Sequence, residues 1–120
     1  MDNLQDFKEE ARLKILRDIV ADNGLAELLC TCAKPDMGDY WFFGFSGENL
    51  HYNWLIRYYT KNTFVEIITN LRIIKNKICY DKLLELSDIP HIETILKKVV
   101  KIRKELQEQI NLNQIMEDFQ

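Results

Sequence analysis

From Leu4 onward the apolar residues Leu4, Phe7, Ala11, Ile15 and Ile19 recur at steps of three and four, with charged residues between them. That spacing lines one face of an amphipathic helix. Asn23-Gly24 follows directly, and residues that tolerate a positive φ are a common way to stop a helix, so the first helix is predicted to end near residue 22. Between Leu25 and Thr60 the helical period fades. Aromatic residues and turn formers take over, with Lys34-Pro35-Asp36-Met37-Gly38-Asp39 and Ser46-Gly47-Glu48-Asn49 as the clearest breaks. Three strands are predicted there, at about 27–33, 40–46 and 50–59.

Thr63 and Glu66 stand in the capping-box relation, three residues apart at the head of an apolar run. A second helix is predicted from that point, with Phe64, Ile67, Ile68, Leu71 and Ile74 on its apolar face and a stop at Lys75-Asn76-Lys77. A short helix near 80–86 is expected next. Ser87-Asp88-Ile89-Pro90 then offers cap side chains and a proline of the kind tolerated in a first helical turn. The apolar residues Ile92, Ile95, Leu96, Val99, Ile102, Leu106 and Ile110 keep the helical period after it. The last helix is predicted from His91 to about Ile110, and the pattern allows it to reach Phe119. The expected fold is therefore α+β: an N-terminal helix, a three-stranded antiparallel β-meander, then three helices including a long C-terminal one.

The chain has 120 residues, 47% of them hydrophobic, which suits one domain spanning residues 1–120 with a single core. No internal repeat or Pro/Gly/Ser-rich linker divides it. A chain of this size can stay folded without a disulfide framework or structural metal. Its three cysteines, Cys30, Cys32 and Cys79, are odd in number and have no framework spacing, the usage expected of free thiols in a reducing compartment. The first twenty residues lack an export signal, and no apolar run reaches the roughly 18 residues of a membrane span. A cytoplasmic protein is expected. The net charge of −3 is too small for the overall field to announce a nucleic-acid partner.

The most informative feature is the aromatic hairpin, with Tyr40, Trp41, Phe42, Phe43 and Phe45 on one strand and Tyr52, Trp54, Tyr58 and Tyr59 after the turn. Side chains alternate across a strand, so both faces of this hairpin are apolar. Either helical layers bury it on both sides, or one face is left for a partner. Trp and Tyr bring large, rigid contact area with a polar tip, and Arg joins them at binding hot spots. On that reading Tyr40, Trp41, Tyr52, Trp54, Arg57 and Tyr58 form the partner-binding set.

A basic series, Arg72, Lys75, Lys77, Lys97, Lys101 and Lys104, could meet phosphates instead, although lysines between apolar positions also describe the solvated face of an ordinary amphipathic helix. Cys30-x-Cys32, with Cys79, His51 or His91, lacks the ligand spacing of a structural zinc site, so neither metal nor cofactor is expected. Neither histidine stands in a catalytic motif, and phosphate-binding loops, dinucleotide fingerprints and nucleophile elbows are missing. The sequence leads to the expectation of a non-enzymatic protein-binding module. Its small size suits an inhibitor of a host protein, of the anti-defence or immunity type found in viruses and mobile elements. The alternative is a nucleic-acid-binding regulatory protein that uses the basic series. A homodimer through Ile92, Ile95, Val99, Ile102, Leu106 and Ile110 of the C-terminal helix is also expected.

Overall fold

A computed structural model describes the backbone of residues 2–31 and 38–119 and, within those stretches, the side chains from residue 8 onward. The chain runs α1 (Asp2–Asp22), β1 (Ala26–Cys30), β2 (Tyr40–Gly44), β3 (Ile56–Tyr59), β4 (Val65–Ile74), β5 (Lys77–Leu86) and α2 (Ile89–Asp118). All five strands form one antiparallel sheet in sequence order, β1-β2-β3-β4-β5. The α+β class and both terminal helices agree with the sequence pattern. The three helices expected after the meander are instead two more strands and one helix.

The correction lies in residues 65–86. Val65, Ile67, Thr69, Leu71 and Ile73 alternate with Glu66, Ile68, Asn70, Arg72 and Ile74 along β4, and the density of β-branched residues favours a strand. Ile68 and Ile74 completed a helical period only because they are apolar residues on the opposite face of that strand. Lys75 and Asn76 both take positive φ, 53° and 59°, which is the backbone of a tight type I′ hairpin whose twist matches the flanking strands. β5 therefore returns along β4, with Val65 opposite Leu86 and Ile74 opposite Lys77. The third predicted strand is also shorter than expected. Residues 50–55 form turns in which the amides of Tyr52 and Asn53 donate to the Asn49 carbonyl, and only Ile56–Tyr59 is strand.

Pairing register fixes two faces of the sheet. Trp41 and Tyr58, Phe43 and Ile56, Ile56 and Ile67, and Val65 and Leu86 are directly opposed and share one face. Both helices cover it. Leu16, Ile19 and Val20 of α1 and Ile92, Leu96 and Val99 of α2 are buried in a single cluster with Phe43, Ile56, Tyr58, Ile67 and Leu71. The buried stripe of α1 is thus rotated from the predicted one: Ile19 belongs to both, whereas Ala11 and Ile15 are exposed. Leu4 and Phe7 fall among the side chains outside the described set. Ile92, Val99 and Ile110 are buried, and Ile95, Ile102 and Leu106 pack against the same core. The positions expected to make a seam between subunits are therefore used inside the chain.

Cys30 and Tyr40, Tyr40 and Tyr59, Phe42 and Arg57, Arg57 and Glu66, and Ile68 and Leu83 are opposed on the other face. Among the described residues no helix packs there. Gly44 belongs to this face, and a Cβ on it would lie 2.9 Å from Leu50 Cδ2 and 3.2 Å from the Asn53 carbonyl. The absent side chain lets the β2–β3 loop fold back against the sheet at one end, and among the described residues no element covers the middle.

Candidate partner-binding face

The open face is built around a cation held between rings. Arg57 projects from β3 with its guanidinium carbon 4.9 Å from the Trp54 ring centre and 5.8 Å from that of Tyr59, within range of a cation–π attraction. Its Nε and Nη2 donate to the two carboxylate oxygens of Glu66 at 2.9 and 2.8 Å, a planar two-bond fork that fixes the guanidinium in place. These hydrogen bonds raise the Arg57 pKa above its ordinary value, against a smaller opposing effect of burial. The aromatic residues continue outward. Phe42 stacks on Trp54 with ring centres 5.9 Å apart, and Tyr40 lies 5.3 Å from Phe42 and 5.1 Å from Tyr59.

Packing within this layer means the face is already rigid. Phe42 is only 6% exposed, because Trp54, Tyr40 and His51 close around its ring. Beside the rings, Ile68 is half-buried and Leu83 is exposed. Together they make an apolar floor beside one oriented ion pair.

The sequence-derived set divides according to strand alternation. Tyr40, Trp54 and Arg57 come together here. Trp41 and Tyr58 are one residue out of phase and lie on the helix-covered face, apart from the other three. Trp41 stacks on Phe43 and has the Arg17 guanidinium 4.7 Å from its ring. Tyr58 is fully buried, and its hydroxyl accepts a 2.8 Å hydrogen bond from Arg12 Nε. Tyr52 sits in the β2–β3 loop, highly exposed and outside the ring cluster. Phe42, Tyr59 and Glu66 belong to the face but were missed. Phe42 and Tyr59 could have been found two residues along from Tyr40 and Arg57. Glu66 was hidden by its apparent role in a capping box.

The basic series does not form one patch. Arg72 is opposite Cys79 on the open face, Lys75 lies in the β4–β5 turn and Lys77 at the start of β5. Lys97, Lys101 and Lys104 are exposed on α2, where Lys97 pairs with Glu93 at 2.8 Å. Cys30 and Cys79 stand on the two edge strands, with β2, β3 and β4 between them, and Cys32 lies outside the described residues. Among the described residues no cluster of three or more His, Cys, Asp or Glu side chains is placed to hold a metal, and no helix is long and apolar enough to cross a membrane.

On the covered side a cleft of about 280 Å³ opens between α2 and the strand ends, lined among others by Phe45, Glu48, Tyr80, Arg103 and Gln107. The Tyr80 hydroxyl donates to the Asn53 carbonyl at 3.3 Å. Burial, reinforced by Glu48 and opposed by Arg103, pushes the Tyr80 pKa up from 10.0 to about 12. A folded-state pKa above the unfolded one stabilises fully below the unfolded value and loses that contribution as pH rises through the folded value. Stability is therefore expected to fall between about pH 10 and 12. Tyr80→Phe should make that fall shallower in denaturant titrations across this range, and an unchanged slope would contradict it.

Comparison with protein-family models, with curated proteins and with solved structures finds no match.

Proposed function

We propose that this chain is a non-enzymatic protein-binding module that receives its partner on the open face of the sheet. The observation that carries this reading is the one-sided coverage of an aromatic sheet. Both helices lie on one face, while Tyr40, Phe42, Trp54 and Tyr59 surround the Arg57–Glu66 pair on the other. Trp, Tyr and Arg are the residues enriched at binding hot spots, and here they stand together in one packed layer. Among the roles open to such a module, inhibition of a host protein by covering one of its working surfaces suits the chain's small size.

Nucleic-acid binding is the second reading, favoured by Lys97, Lys101 and Lys104 lying exposed along α2. Salt separates the two, because contacts to phosphate release counterions and weaken steeply as salt rises, whereas a largely apolar interface responds little. The test is capture from host lysate by the tagged chain at low and high salt, with and without nuclease. Retention of one protein under all conditions is the expected result. Recovery that disappears with nuclease or with salt would transfer the function to the basic residues.

A further inference from the structure

We propose that the cleft between α2 and the strand ends is a binding site for a small acidic amino acid, with Arg103 taking its α-carboxylate and Glu48 its ammonium group. The site begins in one turn. The Glu48 amide donates to the Phe45 carbonyl at 3.2 Å, and Gly47 takes a φ of 88°, a conformation that favours glycine. The Phe45 ring and the Glu48 side chain thus start from the two ends of four residues. Phe45 is buried, and the Arg103 guanidinium carbon stands 4.2 Å from its ring centre, within cation–π range. The ring takes up one face of the planar guanidinium and leaves its N–H edge to donate. Glu48 Oε2 accepts from Asn53 Nδ2 at 3.4 Å, and Phe45, Glu48, Asn53 and Arg103 all line the cleft.

The charges of the lining select the ligand. Arg103 is half-buried, and among the described residues no carboxylate lies within salt-bridge reach of it and no cation within that reach of Glu48. Beyond the effect of burial, Glu48 raises the Tyr80 pKa and Arg103 lowers it, so both charges act on one hydroxyl of the same cleft. Opposite charges that share a cleft without pairing fit a ligand that carries both. A neutral molecule leaves both unpaired, a simple anion pairs with Arg103 and is repelled by Glu48, and a simple amine does the reverse. The guanidinium edge matches a carboxylate through two parallel hydrogen bonds. Lys77 is the remaining charged residue of the lining, and a second carboxylate on the ligand balances it. Drug-sized ligands occupy pockets of about 300–1,000 Å³, so a cleft of about 280 Å³ suits a molecule of amino-acid size. None of Tyr40, Phe42, Trp54 and Arg57 lines it, so ligand and protein partner have separate sites.

Amide NMR titration of the isotopically labelled full chain tests this, with L-glutamate as the probe, glutarate as the same dicarboxylate without its amine, and inorganic phosphate as a plain anion. The expected result is saturable L-glutamate binding, with shifts centred on the Phe45–Glu48 turn, Tyr80 and Arg103, and an affinity at least about tenfold above that of glutarate or phosphate. Glu48→Gln, at an exposed position, should keep the fold and abolish the preference for L-glutamate over glutarate. Arg103→Gln should weaken both at least about tenfold. The amide spectrum of each free variant reports its fold, and the Glu48→Gln result decides alone if Arg103→Gln unfolds the chain. Absence of saturation at millimolar L-glutamate, equal affinity for glutarate or phosphate, or a preference that survives Glu48→Gln would overturn the proposal.

Discussion

Replacing Trp54 with alanine is expected to weaken binding of the captured partner by about 2 kcal/mol, near thirtyfold in dissociation constant, while leaving the chain folded. Trp54 is half-buried and central to the open face: it stacks on Phe42 and forms one wall of the Arg57 site. Its removal takes away contact area and frees the guanidinium to move. Titration calorimetry of wild type and variant reads the loss, and circular dichroism confirms the fold. Equal affinities would mean that the ring layer is a structural cap on the sheet with no part in recognition.

The neighbouring strand residue should behave in the opposite way. Phe43→Ala is expected to cost about 3–5 kcal/mol of stability, a large part of the roughly 5–15 kcal/mol that holds a domain folded. Phe43 is fully buried beneath the helices, in one cluster with Leu16, Ile56 and Leu96, so a lost ring leaves a cavity in the core. Chemical denaturation should show the midpoint falling sharply. A shift under about 1 kcal/mol would mean that the helices do not close over this face as described. Phe43 and Phe42 are adjacent in sequence, yet one is covered by helices and the other by the aromatic layer of the open face.

This difference marks the limit of what residue patterning reveals. The first helix was readable from its period and its Asn23-Gly24 stop, and the last from Pro90 and the repeat from Ile92 to Ile110. The aromatic run from Tyr40 to Phe43 was readable as a strand with two apolar faces. Which face the helices would cover was not, because alternation gives the phase of a strand and not the side on which the next layer arrives. That side is settled by Leu16, Ile19 and Val20 of α1 and by Leu96 and Val99 of α2 together. The β4–β5 hairpin was obscured by a local signal that meant something else. Thr63 and Glu66 have the spacing of a capping box, but Glu66 bonds Arg57 across the β3–β4 ladder. A partner nine residues away becomes visible only once the strands are paired. The turn itself was disguised because Lys75 and Asn76 replace the glycine that usually advertises a type I′ hairpin.

The central claim is that recognition takes place on the open face, and oxidative footprinting of the free chain and of its complex tests it most directly. Tyr40, Trp54 and Tyr59 are expected to become protected when the partner binds, while Tyr52 in the loop and Met116 near the end of α2 keep the reactivity they have in the free chain. Protection confined to Met116 or to the lysine-bearing side of α2, with Trp54 as reactive as before, would contradict the account and move the binding surface to the helix.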